Sequence, residues 1–266
     1  MSTLFLARPT KRVLASLAVG VGTVIFGLPL LTLVVASLAG EWSGVWPSRL
    51  TFDHLRGALA GDERMALWHS LATGIAATVA ALLLGAWGAL AARRAPPALQ
   101  RILDAGYLAP IAIPSVSVGL ALLVAFSRRP LLLNGTIALV VITHVVLITA
   151  YAYSNARAGL ARLPAGLEEV AGSLGAAPSG VLLRVTLPLL VPHLLAAAAL
   201  GFALSMGELG ATIMLYPPGW VTAPVEVFAL TDRGSIFAGA ALSVVLLGCT
   251  FGALSILDRR HLVRRG

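Results

Sequence analysis

The sequence predicts an all-α polytopic membrane protein, a single domain of residues 1–266 built as a bundle of six transmembrane helices. Hydrophobic residues make up 58% of the chain and charged residues 11%, whereas soluble domains carry roughly 25% charged residues. Six apolar runs each reach the roughly 20 residues that a helix needs to cross the hydrocarbon core. None shows the alternating pattern of an outer-membrane barrel strand.

The predicted helices cover about 13–39, 67–92, 105–127, 135–155, 189–215 and 236–257. The first run is longer than the 7 to 15 residues typical of a signal peptide, so we interpret it as an uncleaved span. A polar segment, 40–65, follows it and is predicted to be a loop with some helix. Pro96 and Pro97 separate the second helix from the third, because proline disrupts a continuous helix.

The basic residues predict the orientation of the bundle. Thirteen Lys and Arg residues flank one set of helix ends and six flank the other, and the more basic side of a membrane protein is normally cytoplasmic. We therefore expect both termini and the loop 156–188 to be cytoplasmic. The net charge of +8 then reflects this bias and attraction to membrane lipid, and requires no nucleic-acid partner.

Small residues recur every four positions in the second helix, at Ala81, Gly85 and Ala89. This spacing allows helix backbones to approach closely in lipid. It is typical of packing within the bundle, although the seam of a homodimer or heterodimer would use the same pattern.

The loop 156–188 is the most informative segment. Pro164 suits the first turn of a short helix, and Gly175 allows a left-handed turn at its end. Glu169 is predicted to point away from the apolar stripe of that helix, with Glu168 at its flank. A second short helix is expected from Pro178 to Pro188. Exposed carboxylates favour a basic protein partner over a lipid surface, where Lys and Arg predominate.

The residues Glu169, Gly175, Leu187 and Pro188, at this spacing, resemble the cytoplasmic docking loop of type I ABC importer permeases. Val170 and Val185 stand where that family usually has Ala and Ile, which are mild apolar exchanges. The resemblance implies a non-catalytic subunit of a bacterial plasma (inner) membrane importer. It also implies contact with an ATPase subunit through a set of loop residues: Glu168, Glu169, Ala171, Gly172, Leu174 and Gly175.

The same resemblance implies the partners. They are two copies of the ATPase, a second permease subunit that is identical or homologous, and an extracytoplasmic solute-binding protein. ATP and Mg²⁺ would be bound by the ATPase, with no cofactor on this chain. No G-x-x-x-x-G-K-[ST] phosphate loop occurs in the sequence, and the histidines show no metal-binding spacing.

A translocation pathway or gate is predicted from the residues that disturb the apolar runs. Pro110 and Pro114 break the third helix and free carbonyls that a watery cavity could satisfy, although a kink used only for packing is the alternative. Glu208 lies in a predicted span, where a carboxylate is costly and marks a candidate functional site. A role in a gate or in helix packing, contact with substrate, and simple capping of the helix are its alternatives. The candidate pathway residues are Pro114, Ser115, Ser117, Ser205, Glu208, Trp220, Asp232 and Arg233.

Helix 3 (IPSVSVGLALLVAFS) and the segments SMGELGATIMLYPPGW and FALTDRGSIFAGAAL are similar to those of 2-aminoethylphosphonate importer permeases. The resemblance implies uptake of that phosphonate. Permeases for iron, sulfate or molybdate, thiamine and polyamines share the style of the Glu208 segment, so these substrates remain alternatives. A secondary transporter that uses Glu208 as a coupling carboxylate and an integral membrane enzyme are the rival classes.

Overall fold

The computed structural model describes the backbone of residues 8–164 and 166–262 and the side chains of residues 14–164 and 166–256. The described chain is mainly helical. Its elements are α1 (Arg8–Gly22), a π turn (Thr23–Gly27), α2 (Leu28–Ser37), β1 (Ala39–Glu41), β2 (Arg49–Leu50), α3 (Asp53–Ala58), α4 (Gly61–Arg94), α5 (Pro97–Ala112), α6 (Ser115–Ala125), α7 (Ile137–Ala161), α8 (Leu167–Ser173), α9 (Pro178–Val181), a π turn (Leu182–Thr186), α10 (Leu187–Met206), a 3-10 turn (Thr212–Met214), α11 (Ala223–Asp232) and α12 (Ile236–Leu262).

The chain divides into two compact units. The first consists of the chain up to Gly61 together with Val227–Val245. Its first span, Leu14–Ser37, exposes nearly all of its apolar side chains. The polar segment that follows forms a small antiparallel hairpin, β1 with β2, and the short helix α3. The sequence predicted this segment as loop and helix, without the strands.

The second unit consists of Asp62–Glu226 and the chain from Leu246. Helices α4, α7 and α10 pack together in it through small residues. A Cβ atom at Gly85 of α4 would lie 2.6 Å from the backbone nitrogen of Tyr153 in α7, and one at Gly201 of α10 would lie 2.5 Å from a methyl group of Ile148. Gly85 therefore serves packing within the bundle.

The exposed and buried side chains of α4 indicate that this unit is surrounded by lipid. Its small residues Ala77, Ala81 and Ala89 are fully buried, whereas Leu83 and Trp87 are 68% and 72% exposed. Small residues inside and large apolar residues outside are the pattern expected where lipid replaces water around a bundle. The side-chain distribution thus agrees with a membrane-spanning fold.

The third predicted helix, 105–127, is broken, as its prolines predicted, although the helical path starts earlier, at Pro97. In the described chain, five helices are long and apolar enough to cross a membrane, and the pair α5 and α6, bent by 111°, makes a sixth if it is counted as one span. Pro114 causes the break, since the residue before a proline is driven out of the helical region. Ile113 accordingly adopts an extended conformation, with φ −105° and ψ 130°.

The fifth predicted helix, 189–215, is wrong at both ends. The helical path begins at Pro178 and continues without interruption to Met206, so the loop contains one separate short helix rather than two. The π turn Leu182–Thr186 precedes Pro188, and such a bulge accommodates the missing hydrogen bond of a proline. Glu208 consequently lies in a turn beyond the helix instead of within it.

Candidate functional site

Helix α8 stands between two left-handed glycines. Gly166 has φ +80° before the helix and Gly175 has φ +87° after it, a conformation that glycine adopts without a steric penalty. Pro178 then begins α9. The predicted bend at Gly175 and the helix start at Pro178 are therefore confirmed, whereas α8 begins at Leu167 rather than at Pro164.

One side of this helix is exposed. Glu169 and Gly172 are exposed, and so are the apolar side chains of Val170 and Leu174, at 59% and 83%. Together with Gly175 these residues form what we call the docking patch: Glu169, Val170, Gly172, Leu174 and Gly175. Leu167 and Ala171 are half-buried on the other side. A carboxylate beside exposed apolar side chains on a short helix is suited to a protein partner.

Glu168 has a different role from its neighbour. Its Oε1 accepts a hydrogen bond from the Arg93 guanidinium at 2.8 Å and another from the Thr186 hydroxyl at 2.6 Å. Arg93 lies at the end of α4 and Thr186 in the π turn before α10. Glu168 therefore anchors α8 to two spans, and the hydrogen bonds from Thr186 and Arg93 hold the pKa of its carboxyl below the usual range.

This anchor gives a first prediction. Thr186→Val keeps the side-chain shape and removes one hydrogen bond to Glu168, which should weaken the attachment of α8 by about 1 kcal/mol. We expect the span bundle to remain folded while hydrogen–deuterium exchange increases in residues 166–175. Thr250→Val, which removes a hydroxyl from α12, is the matched control. Unchanged exchange in α8 would show that the anchor does not hold this helix.

The pH dependence of the anchor follows from the sign of the shift. A lowered pKa means that the carboxylate contributes to stability above the ordinary pKa of glutamate, about 4.3, and that this contribution disappears as the pH falls through the lowered value. We therefore expect the protection factors of the α8 amides, which are exchange rates corrected for the base-catalysed intrinsic rate at each pH, to be the same at pH 6 and pH 8. A marked difference between those two conditions would contradict the assignment.

A second polar group joins α5 to α7. The Tyr153 hydroxyl donates to Asp104 at 2.5 Å, and the Arg157 Nε lies 3.4 Å from the same carboxylate oxygen. The rings of Tyr107 and Tyr153 stack with centroids 4.4 Å apart. These contacts fix α5 against α7 on the approach to its break at Pro114.

The break between α5 and α6 borders a cavity of about 160 Å³. Pro110 and Ile113 from the break line it together with side chains of α7 and of the end of α10. Its polar lining comes from five residues: Ser115, His144, Tyr151, Ser205 and Glu208. The second unit thus holds a partly polar cavity at the place where its apolar helices are interrupted.

His144 crosslinks the wall of this cavity. One ring nitrogen, Nδ1, lies 2.7 Å from the Ser205 hydroxyl and the other, Nε2, lies 2.9 Å from the Thr212 hydroxyl. The side chain is 2% exposed. Both nitrogens are satisfied in either tautomer, because a hydroxyl can donate or accept. His144 is therefore a satisfied polar side chain within the wall of the cavity.

Glu208 follows the last turn of α10. Its Oε1 accepts a hydrogen bond from the backbone N–H of Ala211 at 2.6 Å, so it closes the turn that leads to the 3-10 segment. The residue is half-buried. In the part of the chain that the structure describes, no cation pairs with Glu208.

The structure brings together only part of the predicted pathway. Ser115, Ser205 and Glu208 share the cavity, and Pro114 directly precedes Ser115 at the break. Ser117 is exposed on α6. Trp220 stacks on His69 at 4.1 Å and donates to Thr73 at 3.0 Å, outside the cavity lining. Asp232 and Arg233 are exposed residues of the first unit. The roles of all these residues in transport stay predictions.

Four residues with a clear place in these sites were not selected from the sequence. Arg93 and Thr186 bind Glu168, and His144 and Tyr151 line the cavity. Arg93 entered the prediction only as one of the basic residues that indicate the orientation of the bundle. A polar residue at mid-span, such as His144, was a usable signal, whereas Thr186 and Tyr151 gave none.

Comparison with known proteins places this architecture. Residues 81–263 match the family model described as binding-protein-dependent transport system inner membrane component. The chain belongs to this family. It is the permease component of an ABC importer, a multi-pass membrane subunit, as the docking-loop resemblance predicted.

Relatives of the permease carry different substrate names. It is 50% identical over 236 residues, 89% of each chain, to PhnV of Salmonella typhimurium, a protein provisionally named as a 2-aminoethylphosphonate transport system permease. It is 31% identical over 240 residues, 85% of this chain and 86% of the other, to the molybdenum transport system permease ModB of Mycobacterium tuberculosis. It is 28% identical to the putrescine transport system permease PotI of Escherichia coli over 83% of this chain and 80% of PotI.

A solved structure supports the fold. The permease matches a chain of a bacterial ABC transporter that imports the acidic polysaccharide alginate, with a TM-score of 0.76, 97% of this chain and 96% of the other covered, and 16% sequence identity. The all-α permease fold that the sequence predicted is therefore confirmed.

Proposed function

We propose that this permease imports 2-aminoethylphosphonate across the bacterial inner membrane. The observation that carries the proposal is the 50% identity to PhnV over 89% of both chains. The identities to the molybdenum and putrescine permeases are 31% and 28%, and substrate preference within a permease family is more often shared at the higher figure. Iron, sulfate, molybdate, thiamine and polyamines remain the competing substrates.

The energy for import would come from a separate ATPase. We propose that two ATPase subunits dock on this permease and on a second, identical or homologous permease. Their ATP-driven closure would switch the bundle from an inward-facing to an outward-facing state. The docking patch supports this role, because Glu169 is exposed while Glu168 anchors the same helix to α4 and to the π turn before α10. An extracytoplasmic solute-binding protein would deliver the substrate.

This scheme requires α8 to be cytoplasmic. The proposed orientation places both termini and the docking patch on the cytoplasmic side, as the excess of Lys and Arg at those helix ends favours. Cysteine labelling tests this orientation. Single cysteines are introduced at Ser173 or at Val45 in a Cys249→Ser background and are labelled from outside with a membrane-impermeant maleimide. Labelling of the cysteine at 45 alone is expected, and labelling at 173 alone would reverse the topology.

The substrate is tested with the complete importer. The permease is co-expressed with its natural ATPase and binding protein, reconstituted in proteoliposomes, and supplied with radiolabelled 2-aminoethylphosphonate, molybdate or putrescine. We expect ATP-dependent uptake of the phosphonate that is insensitive to protonophores. Uptake of another solute in its place would overturn the proposed substrate. Uptake that needs a proton gradient and no ATPase would favour a secondary transporter.

A further inference from the structure

We infer that the cavity behind the α5–α6 break is a substrate subsite in which Glu208 receives an ammonium group. The inference rests on the proposed function, because 2-aminoethylphosphonate supplies such a group, and it adds the residue that would recognise it. The subsite lies entirely within the second unit of one permease chain.

The residues that line the cavity include a single carboxylate and no Lys or Arg. Among the residues described around the cavity, Glu208 is the only Asp, Glu, Lys or Arg, and the other polar groups are three hydroxyls and the His144 imidazole. A half-buried carboxylate in a membrane domain is unfavourable unless a cation or hydrogen-bond donors compensate it. The described part of the chain supplies one N–H donor, from Ala211, and no cation. A ligand with a positively charged amino group would complete the compensation.

The position of the carboxylate is fixed by its surroundings. Oε1 is held by the Ala211 N–H, which leaves Oε2 for a ligand. Gly210 packs directly on α6, since a Cβ atom there would lie 2.6 Å from the Ser115 hydroxyl oxygen. His144 ties the preceding Ser205 to the following Thr212. The turn that carries Glu208 is therefore preorganised, which a specific binding site requires.

The rest of the lining suits the other end of a small zwitterion. Ser115 and Tyr151 provide hydroxyl donors for phosphonate oxygens, while Ile111, Leu147 and Leu204 supply apolar walls for a short carbon chain. The cavity of about 160 Å³ is more than ten times the roughly 10–15 Å³ of cavity volume that one water molecule needs. It suits a solute of a few heavy atoms, and a mixture of apolar walls and a few polar groups is typical of ligand sites.

A purely structural role for Glu208 is the competing explanation, since its carboxylate closes the turn at Ala211. Glu208→Gln separates the two roles. The amide oxygen of glutamine can still accept the Ala211 N–H, whereas the negative charge is lost. Glu208→Asp keeps the charge on a shorter side chain, and Glu63→Gln removes a carboxylate from the first turn of α4 as the matched control.

The test measures binding to the purified permease–ATPase complex in nanodiscs without the binding protein. The two probes are 2-aminoethylphosphonate and ethylphosphonate, which differ only in the amino group. We expect the native complex and Glu63→Gln to prefer 2-aminoethylphosphonate by at least about tenfold, the size of one hydrogen bond to a charged group. Glu208→Gln should lose this preference without losing affinity for ethylphosphonate, and Glu208→Asp should retain part of it.

Three results would overturn the subsite. They are an unchanged preference in Glu208→Gln, an equal loss of affinity for both probes in Glu208→Gln and Glu208→Asp, and no preference in a native complex that takes up 2-aminoethylphosphonate. A native complex, supplied with its binding protein, that takes up none of this phosphonate would overturn the proposed function instead, so the two failures are distinguishable.

Discussion

Replacing Glu169 by Lys is expected to abolish ATP-driven uptake while leaving the permease inserted and folded. Glu169 is exposed at the centre of the docking patch, and its backbone carbonyl accepts the Ser173 hydroxyl within α8. Within the part of the chain that the structure describes, its carboxylate forms no hydrogen bond or ion pair. Reversal of this charge should place like charges together at the contact with a basic group of the ATPase, which costs several kcal/mol when the contact excludes water.

Two measurements check this prediction. Co-purification of the ATPase with the permease should fall by at least about tenfold, and uptake in proteoliposomes should reach background. Glu169→Gln, which removes the charge without reversing it, should give an intermediate loss. Asp62→Lys makes the same charge change at the first turn of α4, about 45 Å along the helix from Arg93, and should retain the ATPase. Full uptake by Glu169→Lys would contradict docking through this patch.

The sequence alone was sufficient for most of the fold because the physical signals were local. An apolar run of 20 or more residues has few alternatives to a span, and α4, α7 and α12 lie where the runs predicted them. Pro178 and Gly175 were equally informative. Each restricts or frees its own backbone, so its effect does not depend on the rest of the molecule.

The ends of helices inside apolar segments could not be predicted in the same way. Residues 207–215 continue the hydropathy of α10, yet the helix ends at Met206 and Glu208 accepts the Ala211 N–H in a turn. Hydropathy indicates that a segment is buried in lipid or protein, but it does not specify which carbonyl accepts the hydrogen bond of each backbone N–H. The same limit applies to α5 and α6, where Pro114 predicted a break but not a bend of 111°.

The sites needed contacts between distant parts of the chain. Arg93 and Glu168 are separated by 75 positions, and His144 and Thr212 by 68. Both Glu168 and Glu169 had the residue type expected for an exposed docking surface, and only the position of Arg93 and Thr186 shows that the first is an internal anchor. Likewise, Glu208 was recognisable as an unusual carboxylate, whereas its cavity depends on the packing of four helices.

Gly85→Ala is expected to destabilise the permease, although alanine is normally the better residue in a helix. In an open helical position this exchange contributes up to about 1 kcal/mol of stability. At Gly85 the new methyl carbon would lie 2.6 Å from the backbone nitrogen of Tyr153 and 2.7 Å from the Cβ of Ala152. Both partners belong to the backbone region of α7 and cannot rotate away, so the two helices must separate.

The clash should outweigh the gain in helix propensity, because overpacking a close helix contact costs roughly 1–3 kcal/mol. We expect a lower unfolding temperature in detergent and a smaller monodisperse fraction for Gly85→Ala. Gly252→Ala in α12 is the matched control, since a Cβ atom there meets nothing within 4 Å, and it should be neutral or slightly stabilising. If Gly85→Ala were as stable as Gly252→Ala, α4 and α7 could not be packed as closely as this structure places them. The displacement would also move Tyr153 and its bond to Asp104, so loss of stability should extend to α5.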